Sequence, residues 1–206
     1  WEQRKLKELC TYEPSNITSQ DISSIGKYEL FDANGSIGRT DKYAIRKEYI
    51  SIIKDGAGVG RIRKLPKNTA ILGTMGAIKA EYCEYDFLFF LLEKANLGTS
   101  FSGSTIPHIY FKDYGENNYF VPSALEQKNI GELFNNLDHL ITLHQRKCDQ
   151  LSNVKKALLE KMFPSDDEYT PKIRFKGFTD AWEQRKLKEL CTYEPSNITS
   201  QDISSI

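Results

Sequence analysis

The apolar positions follow two rhythms along the chain. Between Gly26 and about Pro122 they come in short runs, broken every few residues by turn formers. "DANGSIGRTD" carries Asn34-Gly35, a dipeptide suited to hairpin turns. "YISIIKDGAGVGRIRKL" predicts strand, glycine-rich turn, strand. "TAILGTMGAIKA" predicts a second strand pair, broken at Gly73–Gly76. Residues 84–96, centred on "FLFFLL", predict a buried amphipathic helix. "IPHIYFKDY" fits a short helix or a strand, and "YFVP" closes the region. Strands and helices interspersed in this way predict a mixed α+β domain over residues 1–122.

From Ser123 to Phe163 the apolar residues recur every seven positions. Proline is absent there and Gly131 is the only glycine. Ile130, Leu137, His144, Leu151 and Leu158 form one row. Leu133, Leu140 and Val154 form a second, interrupted at Lys147 and Lys161, with Phe134, Ile141, Cys148 and Met162 alongside. This is the stripe of a coiled-coil-forming helix, predicted over residues 123–163. Ser123 and Glu126, preceded by Pro122, resemble a capping box, and Pro164 stops the helix. A helix of about 40 residues spans roughly 60 Å and cannot cover its own stripe. A partner helix is therefore expected, from a second half of the chain or a second copy. "PSDDEYTPKIRFKGFTDA" is polar and bracketed by prolines, which predicts a linker over residues 164–181.

Residues 1–25 recur without a change as residues 182–206. The interval is too long for a solenoid unit and has the size of a domain plus a connector. A duplicated architecture with two similar halves is implied, with the second half starting at residue 182. A duplication introduced by cloning or assembly is the competing explanation. The first residue is Trp1 rather than Met, so a piece of a longer chain is expected.

Composition narrows the function classes. The chain has 206 residues, 39% of them hydrophobic and 27% charged, which is enough apolar material for a core in an ordinary soluble protein. Basic and acidic residues number 28 each, so a nucleic-acid partner must be met by a local patch rather than by net charge. Cys10, Cys83, Cys148 and Cys191 are scattered, without a CxxC pair, which argues against a zinc ribbon and a disulfide framework. A reducing, cytoplasmic setting is expected. "WEQRKLKELC" has no signal-peptide core, and "DFLFFLLEKA" is too short to span a bilayer, so no membrane partner is expected.

The clearest basic patch lies in residues 54–79. It holds Lys54, Arg61, Arg63, Lys64, Lys67 and Lys79, with Asp55 as the one acid before Lys79. Cations on hairpins can track phosphates, and an arginine can reach a guanine edge. Strand alternation puts Arg61 and Arg63 on one face. A solvated edge strand guarded by Lys and Arg is the plain structural alternative. Arg39 and Thr40, in "GSIGRTDKY", form a second candidate pair. "DGAGVGR" lacks the spacing, the following helix and the lysine of a phosphate-binding loop, so it reads as a tight hairpin turn. His144 and Cys148 stand four apart on the predicted helix, but third and fourth ligands are missing and no metal site is assigned. His144 is assigned to helix pairing instead. No nucleophile–base pair is visible, and no catalytic residue is assigned.

The segment "EQKNIGELFNNLDHLITLHQRKCDQLSNVKKALLEKMFP", followed by "PKIRFKGFTDAWEQRKLKEL", resembles the specificity (S) subunits of type I restriction-modification enzymes. So does "SGSTIPHIYFKDY", with "YFVP", just ahead of the helix. The resemblance covers nearly the whole chain. It implies a target-recognition domain that reads one half of a split DNA site, followed by a long helix that pairs antiparallel with another. It also implies double-stranded DNA, methyltransferase (M) subunits and restriction (R) subunits as partners. S-adenosylmethionine, ATP and Mg would then belong to those partner subunits, with no cofactor in this chain. Only one recognition domain is present here, so a split site requires a second half or a homodimer partner through the helix. By the same resemblance, Ser102, Gly103, Ser104 and Thr105 belong near the recognition cleft, where small hydroxyls and a glycine amide suit phosphate contacts. A helix cap at Ser104 or Thr105, with Pro107 in the first turn, is the plain alternative. The reading is a non-catalytic DNA-specificity subunit or half-subunit. The rival is a coiled-coil module that docks proteins and has no DNA affinity.

Overall fold

The computed structural model describes residues 1–99, 106–165 and 168–195. The chain divides into two units, Trp1–Ile141 and Thr142–Ile206. Ser102, Gly103, Ser104 and Thr105 lie outside the described residues.

The first unit is organised around strand β5 (Tyr49–Ile53), buried at all five positions. It lies inside an antiparallel sheet with β2 (Cys10–Pro14), β6 (Ile62–Leu65) and β8 (Met75–Ala80), in the order β2-β8-β5-β6. Alternation sends its side chains to two cores. Ile50 and Ile52 join Ile78, Leu88 and Leu92 on one face. Tyr49 and Ile53 join Leu65, Ile71, Met75 and Ala77 on the other. Helix α1 (Tyr85–Ala95) covers the first face with Leu88 and Leu92. The second face meets a three-stranded sheet, β4-β3-β7, made from β3 (Tyr28–Phe31), β4 (Ser36–Thr40) and β7 (Thr69–Ile71).

The Asn34-Gly35 turn forms as expected and joins β3 to β4, with the Asp32 carboxylate accepting from both N–H groups. The β5–β6 hairpin forms too. The strand pair expected in "TAILGTMGAIKA" does not pair with itself. β7 runs parallel to β3, while β8 lies between β2 and β5. The two-sided apolar strand β5 offers β8 a longer buried ladder than the three residues of β7. In "IPHIYFKDY", residues Phe111–Tyr114 form a single helical turn, α2, and His108 bridges Asp55.

A two-stranded ribbon closes the unit. β1 (Glu2–Lys5) runs antiparallel to β9 (Asn118–Val121), from Glu2 opposite Val121 to Lys5 opposite Asn118. Helix α3 (Ala124–Met162, 39 residues) follows. The capping box is half made. Ser123 Oγ accepts from the Glu126 N–H at 3.4 Å, but the Glu126 carboxylate turns to the Trp1 indole N–H at 3.2 Å.

Residues 127, 130, 131, 134 and 135 share one face of α3 and dock on the start of α1. The buried Gln127 donates from Nε2 to the Pro122 carbonyl and accepts the Glu84 N–H at Oε1, each at 2.9 Å. That satisfies one of the free N–H groups ahead of α1. Ile130 packs against Leu9, Phe87 and Val121. Phe134 meets Phe90 with ring centroids 5.1 Å apart. Gly131 is buried, and a Cβ there would stand 2.8 Å from the Asp86 Cβ.

The second unit holds the rest of α3 and a chain segment folded back along its end. The Ile173 N–H donates to the Lys161 carbonyl at 2.9 Å, and the Trp182 N–H to the Tyr169 carbonyl at 2.7 Å. The Trp182 ring stands edge-on to Phe163. An apolar groove of about 570 Å³ runs between them, lined by Leu158, Met162, Phe163, Ile173, Phe178 and Trp182 among others. The apolar residues of the segment touch the helix end but stay largely open, with Phe175 and Phe178 73% and 66% exposed. A last helical turn, α4 (Leu187–Leu190), ends the described structure in regular form.

Gly131 tests the docking of α3. In an exposed helix, Gly→Ala gains up to about 1 kcal/mol. Gly131→Ala is expected to lose stability instead, by about 1–3 kcal/mol through overpacking, read as a lower urea midpoint.

Candidate nucleic-acid interface

The hairpin of β5 and β6 turns through Gly56, Gly58 and Gly60, with φ of 88°, 83° and 82°. These are left-handed values that glycine adopts without strain. At Gly60 a side chain would also collide with Gly98, whose backbone N lies 2.1 Å from the position of a Cβ. The turn therefore lies directly against Leu97–Thr99. On its other side the Gly56 N–H donates to the Pro107 carbonyl, and the Ile109 N–H to the Lys54 carbonyl, each at 3.0 Å. The described residues on both sides of 100–105 are thus held against this turn.

The turn leads into β6, whose alternation separates the cations. Arg61 and Arg63 project together, and both donate to the Ala33 carbonyl, at 3.0 and 3.3 Å. Ala33 belongs to the β3–β4 turn, so the two hairpins meet at these guanidiniums. Lys64 projects to the opposite face. Its ammonium lies 2.7 Å from Asp86 Oδ1 and 2.8 Å from Asn135 Oδ1, over the rings of Phe89 and Phe90 at 4.6 and 4.8 Å. It ties β6 to α1 and α3.

The other candidates divide in the same way. Lys79 pairs with Glu13 at 2.8 Å, and Lys54 with Asp55 at 3.6 Å. Lys67 is exposed between β6 and β7. The Arg39 guanidinium donates to the carbonyls of Gly26 and Lys27. Thr40 is buried, and its hydroxyl accepts from the Lys42 N–H at 3.2 Å. Among the described residues, Arg39, Arg61, Arg63 and Lys67 form no ion pair with a carboxylate, whereas Lys54, Lys64 and Lys79 do.

Two further groups stand beside the turn. His108 Nδ1 lies 2.6 Å from Asp55 Oδ1, a partner 53 positions away that local spacing could not reveal. Tyr110 is half exposed, stacked near His108, with the Lys112 ammonium 5.3 Å from its ring centroid. An aromatic–cation–histidine cluster in "PHIYFK" was legible as composition, but its proximity to the turn was not.

Along α3, the expected pairing residues fall into two sets. Ile130 is turned into the first unit. Leu133, Leu137, Leu140, Leu151, Val154 and Leu158 are 40–58% exposed, and His144 is exposed as well. Among the described residues no group of three or more His, Cys, Asp or Glu side chains is placed to hold a metal ion. No described helix is long and apolar enough to cross a membrane. Burial pushes the Cys10 and Cys83 thiols up to about 12, so neither is poised as a nucleophile.

The profile of the type I restriction modification DNA specificity domain matches residues 1–153. The chain belongs to that family. The family is non-catalytic. The type I restriction enzyme MjaVIII specificity subunit of Methanocaldococcus jannaschii is 25% identical over 153 residues, covering 71% of this chain and 36% of that protein. The fold is shared with the crystal structure of a type I restriction-modification S subunit from M. genitalium, at TM-score 0.60 and 22% identity. That match covers 81% of this chain and 46% of the other. The HsdS subunit of Thermoanaerobacter tengcongensis matches at TM-score 0.58 and 17% identity, over 81% and 45%. The chain therefore spans about a third of its named relative and just under half of the solved subunits.

Lys64→Met keeps the stem over the rings and removes the charge. It should lower stability by about 1 kcal/mol, a modest loss because the Asp86 pair is partly open to solvent. Chemical denaturation measures it.

Proposed function

We propose that this chain reads one half of a split DNA site as a specificity subunit, or half of one, in a type I restriction-modification complex. The observation that carries the reading is the junction of two hairpins at Ala33, where Arg61 and Arg63 share a carbonyl and, among the described residues, no carboxylate neutralises them. Guanidiniums held by one weak neutral acceptor each retain donors for phosphate oxygens or a guanine edge. Arg39 and Lys67 widen the positive surface for backbone contacts. Lys54 and Lys79, paired to acids, are secondary contributors, and Lys64 supports the fold. Ser102, Gly103, Ser104 and Thr105 fit the same role through their flanks, which are anchored beside the Gly56–Gly60 turn.

The exposed stripe of α3 supplies the scaffold. Leu133, Leu137, Leu140, His144, Leu151, Val154 and Leu158 form the pairing surface for a second half-subunit or a second copy, with the helices antiparallel. Methyltransferase and restriction subunits assemble on that frame in the cytoplasm, and S-adenosylmethionine, ATP and Mg bind to them rather than to this chain.

Duplexes selected from a random pool in the presence of a methyltransferase subunit give the probe for DNA reading. Arg61→Ala with Arg63→Ala is expected to weaken binding and to reduce the slope of log K against log salt by about 1.8, two phosphate contacts' worth. Folding should be intact. An unchanged slope rejects these two arginines as contacts.

Pairing through α3 has its own test. The parent chain at tens of micromolar should scatter light as a dimer, and Leu137→Lys with Leu151→Lys as a monomer. A monodisperse parent monomer would rule out the pairing.

A further inference from the structure

Asn34-Gly35 is the one Asn-Gly step in the chain. Every other asparagine is followed by Asn, Leu, Tyr or a β-branched residue. The step lies in the β3–β4 turn, directly after Ala33, whose carbonyl accepts from Arg61 at 3.0 Å and from Arg63 at 3.3 Å. Asn34 is exposed, and its side-chain amide makes no hydrogen bond among the described residues. Gly35 is equally open, with no atom within 4 Å of where a Cβ would stand.

Asparagine is a labile residue, and a following glycine supplies the nucleophile that attacks it. Without a side chain to shield it, the Gly35 backbone nitrogen can approach the Asn34 Cγ. A bond forms between them, and the nitrogen gives its proton to solvent base. The Cγ–Nδ2 bond breaks, and the leaving nitrogen takes up a proton and departs as ammonia. Water then opens the cyclic imide at either carbonyl, leaving aspartate or isoaspartate. One water enters and one ammonia leaves, with no oxidant or reductant. Either product puts a carboxylate where a neutral amide stood.

Asp32 restrains the reaction. Its Oδ1 accepts the Asn34 N–H at 2.7 Å and the Gly35 N–H at 2.9 Å. The second of these bonds must break before the Gly35 nitrogen can lose its proton, so ring closure waits on an opening of the turn.

We propose that Asn34 is a modification site whose conversion to a carboxylate weakens the DNA-binding surface beside it, a proposal that rests on the reading of Arg61 and Arg63 as DNA contacts. Each guanidinium gives one N–H to Ala33 and keeps further donors. A carboxylate next to that carbonyl is a stronger acceptor and cancels charge that the carbonyl leaves intact. The fold is untouched, because the altered side chain stands in solvent. Each molecule thus passes with age from full to reduced affinity.

The full chain, held in warm, mildly alkaline buffer, tests the chemistry by peptide mass mapping over days. The mass gain of an amide turned acid is expected at Asn34, faster in Asp32→Ala and slower in Gly35→Ala. Alanine fits at that position, since the space is open and φ lies outside the left-handed region. Binding to the selected duplex tests the consequence. Asn34→Asp should lower the slope of log K against log salt by about 0.9, one cation's worth. Asn34→Gln, which stays neutral, should keep the parent slope. A parent chain that retains its Asn34 amide as long as Gly35→Ala does overturns the proposal. So does an Asn34→Gln variant that loses as much as Asn34→Asp. A parent slope in Asn34→Asp, beside a reduced slope in Arg61→Ala with Arg63→Ala, overturns the proposal and leaves the arginine reading standing. An unchanged slope in that double variant overturns the reading itself, and the proposed effect of Asn34 with it.

Discussion

The close crossing of α3 over the start of α1 sets the geometry of the first unit. A glycine in mid-helix costs about 1 kcal/mol against alanine, and α3 accepts it at Gly131 because Asp86 leaves no room for a Cβ. Around that point the interactions differ in kind and agree in direction. Gln127 satisfies the Glu84 N–H, Lys64 bridges Asp86 and Asn135, Ile130 enters an apolar pocket, and Phe134 meets Phe90. Hydrogen bonds fix the register, and apolar contacts supply the attraction. Five positions over its first three turns thus fix the start of α3 to the first unit.

That anchoring decides which lysines remain for a partner. The chain is neutral overall, so a positive surface exists only where acids are absent or already engaged. Lys64 and Lys79 are neutralised by Asp86 and Glu13 within the fold. Among the described residues Arg61 and Arg63 share a carbonyl and no ion pair, which holds them in place without cancelling their charge. A neutral acceptor that orients two guanidiniums suits a surface that must present charge in a defined direction.

Much of this was legible in the sequence. The heptad rows located α3 to within a residue at each end, because 39 residues of one period leave little ambiguity. The glycine spacing of "DGAGVGR" identified a hairpin turn, and alternation put Arg61 and Arg63 together. Three things were hidden because they depend on distant chain segments. The partner of β8 is β5, and local hydrophobicity in "TAILGTMGAIKA" does not distinguish that from a hairpin. Lys64 belonged by sequence to the basic patch, and its partners Asp86 and Asn135 are visible only in the fold. Ile130 sits in the heptad row yet faces inward, since α3 serves its own domain for three turns before its stripe is free. The repeat shows the limit most directly: identical residues form two strands around the buried Leu6 and Leu9 in one place and an exposed turn in the other.

The β1–β9 ribbon has a topological consequence. Chain entry at Glu2 and chain exit at Val121 are neighbouring residues across a ladder, so the whole recognition domain hangs from two adjacent strands beside the first turn of α3. Such a domain is a loop closed at its base, and it meets α3 again through Glu84, Asp86, Phe87 and Phe90. Its interior can change in length and sequence without altering the distance between its ends. A replacement that retains the ribbon and the residues facing Gln127 and Gly131 would leave the helix where it is. The start of α3 is thereby set by the ribbon and its contacts with α1, whatever the length of the chain between Glu2 and Val121.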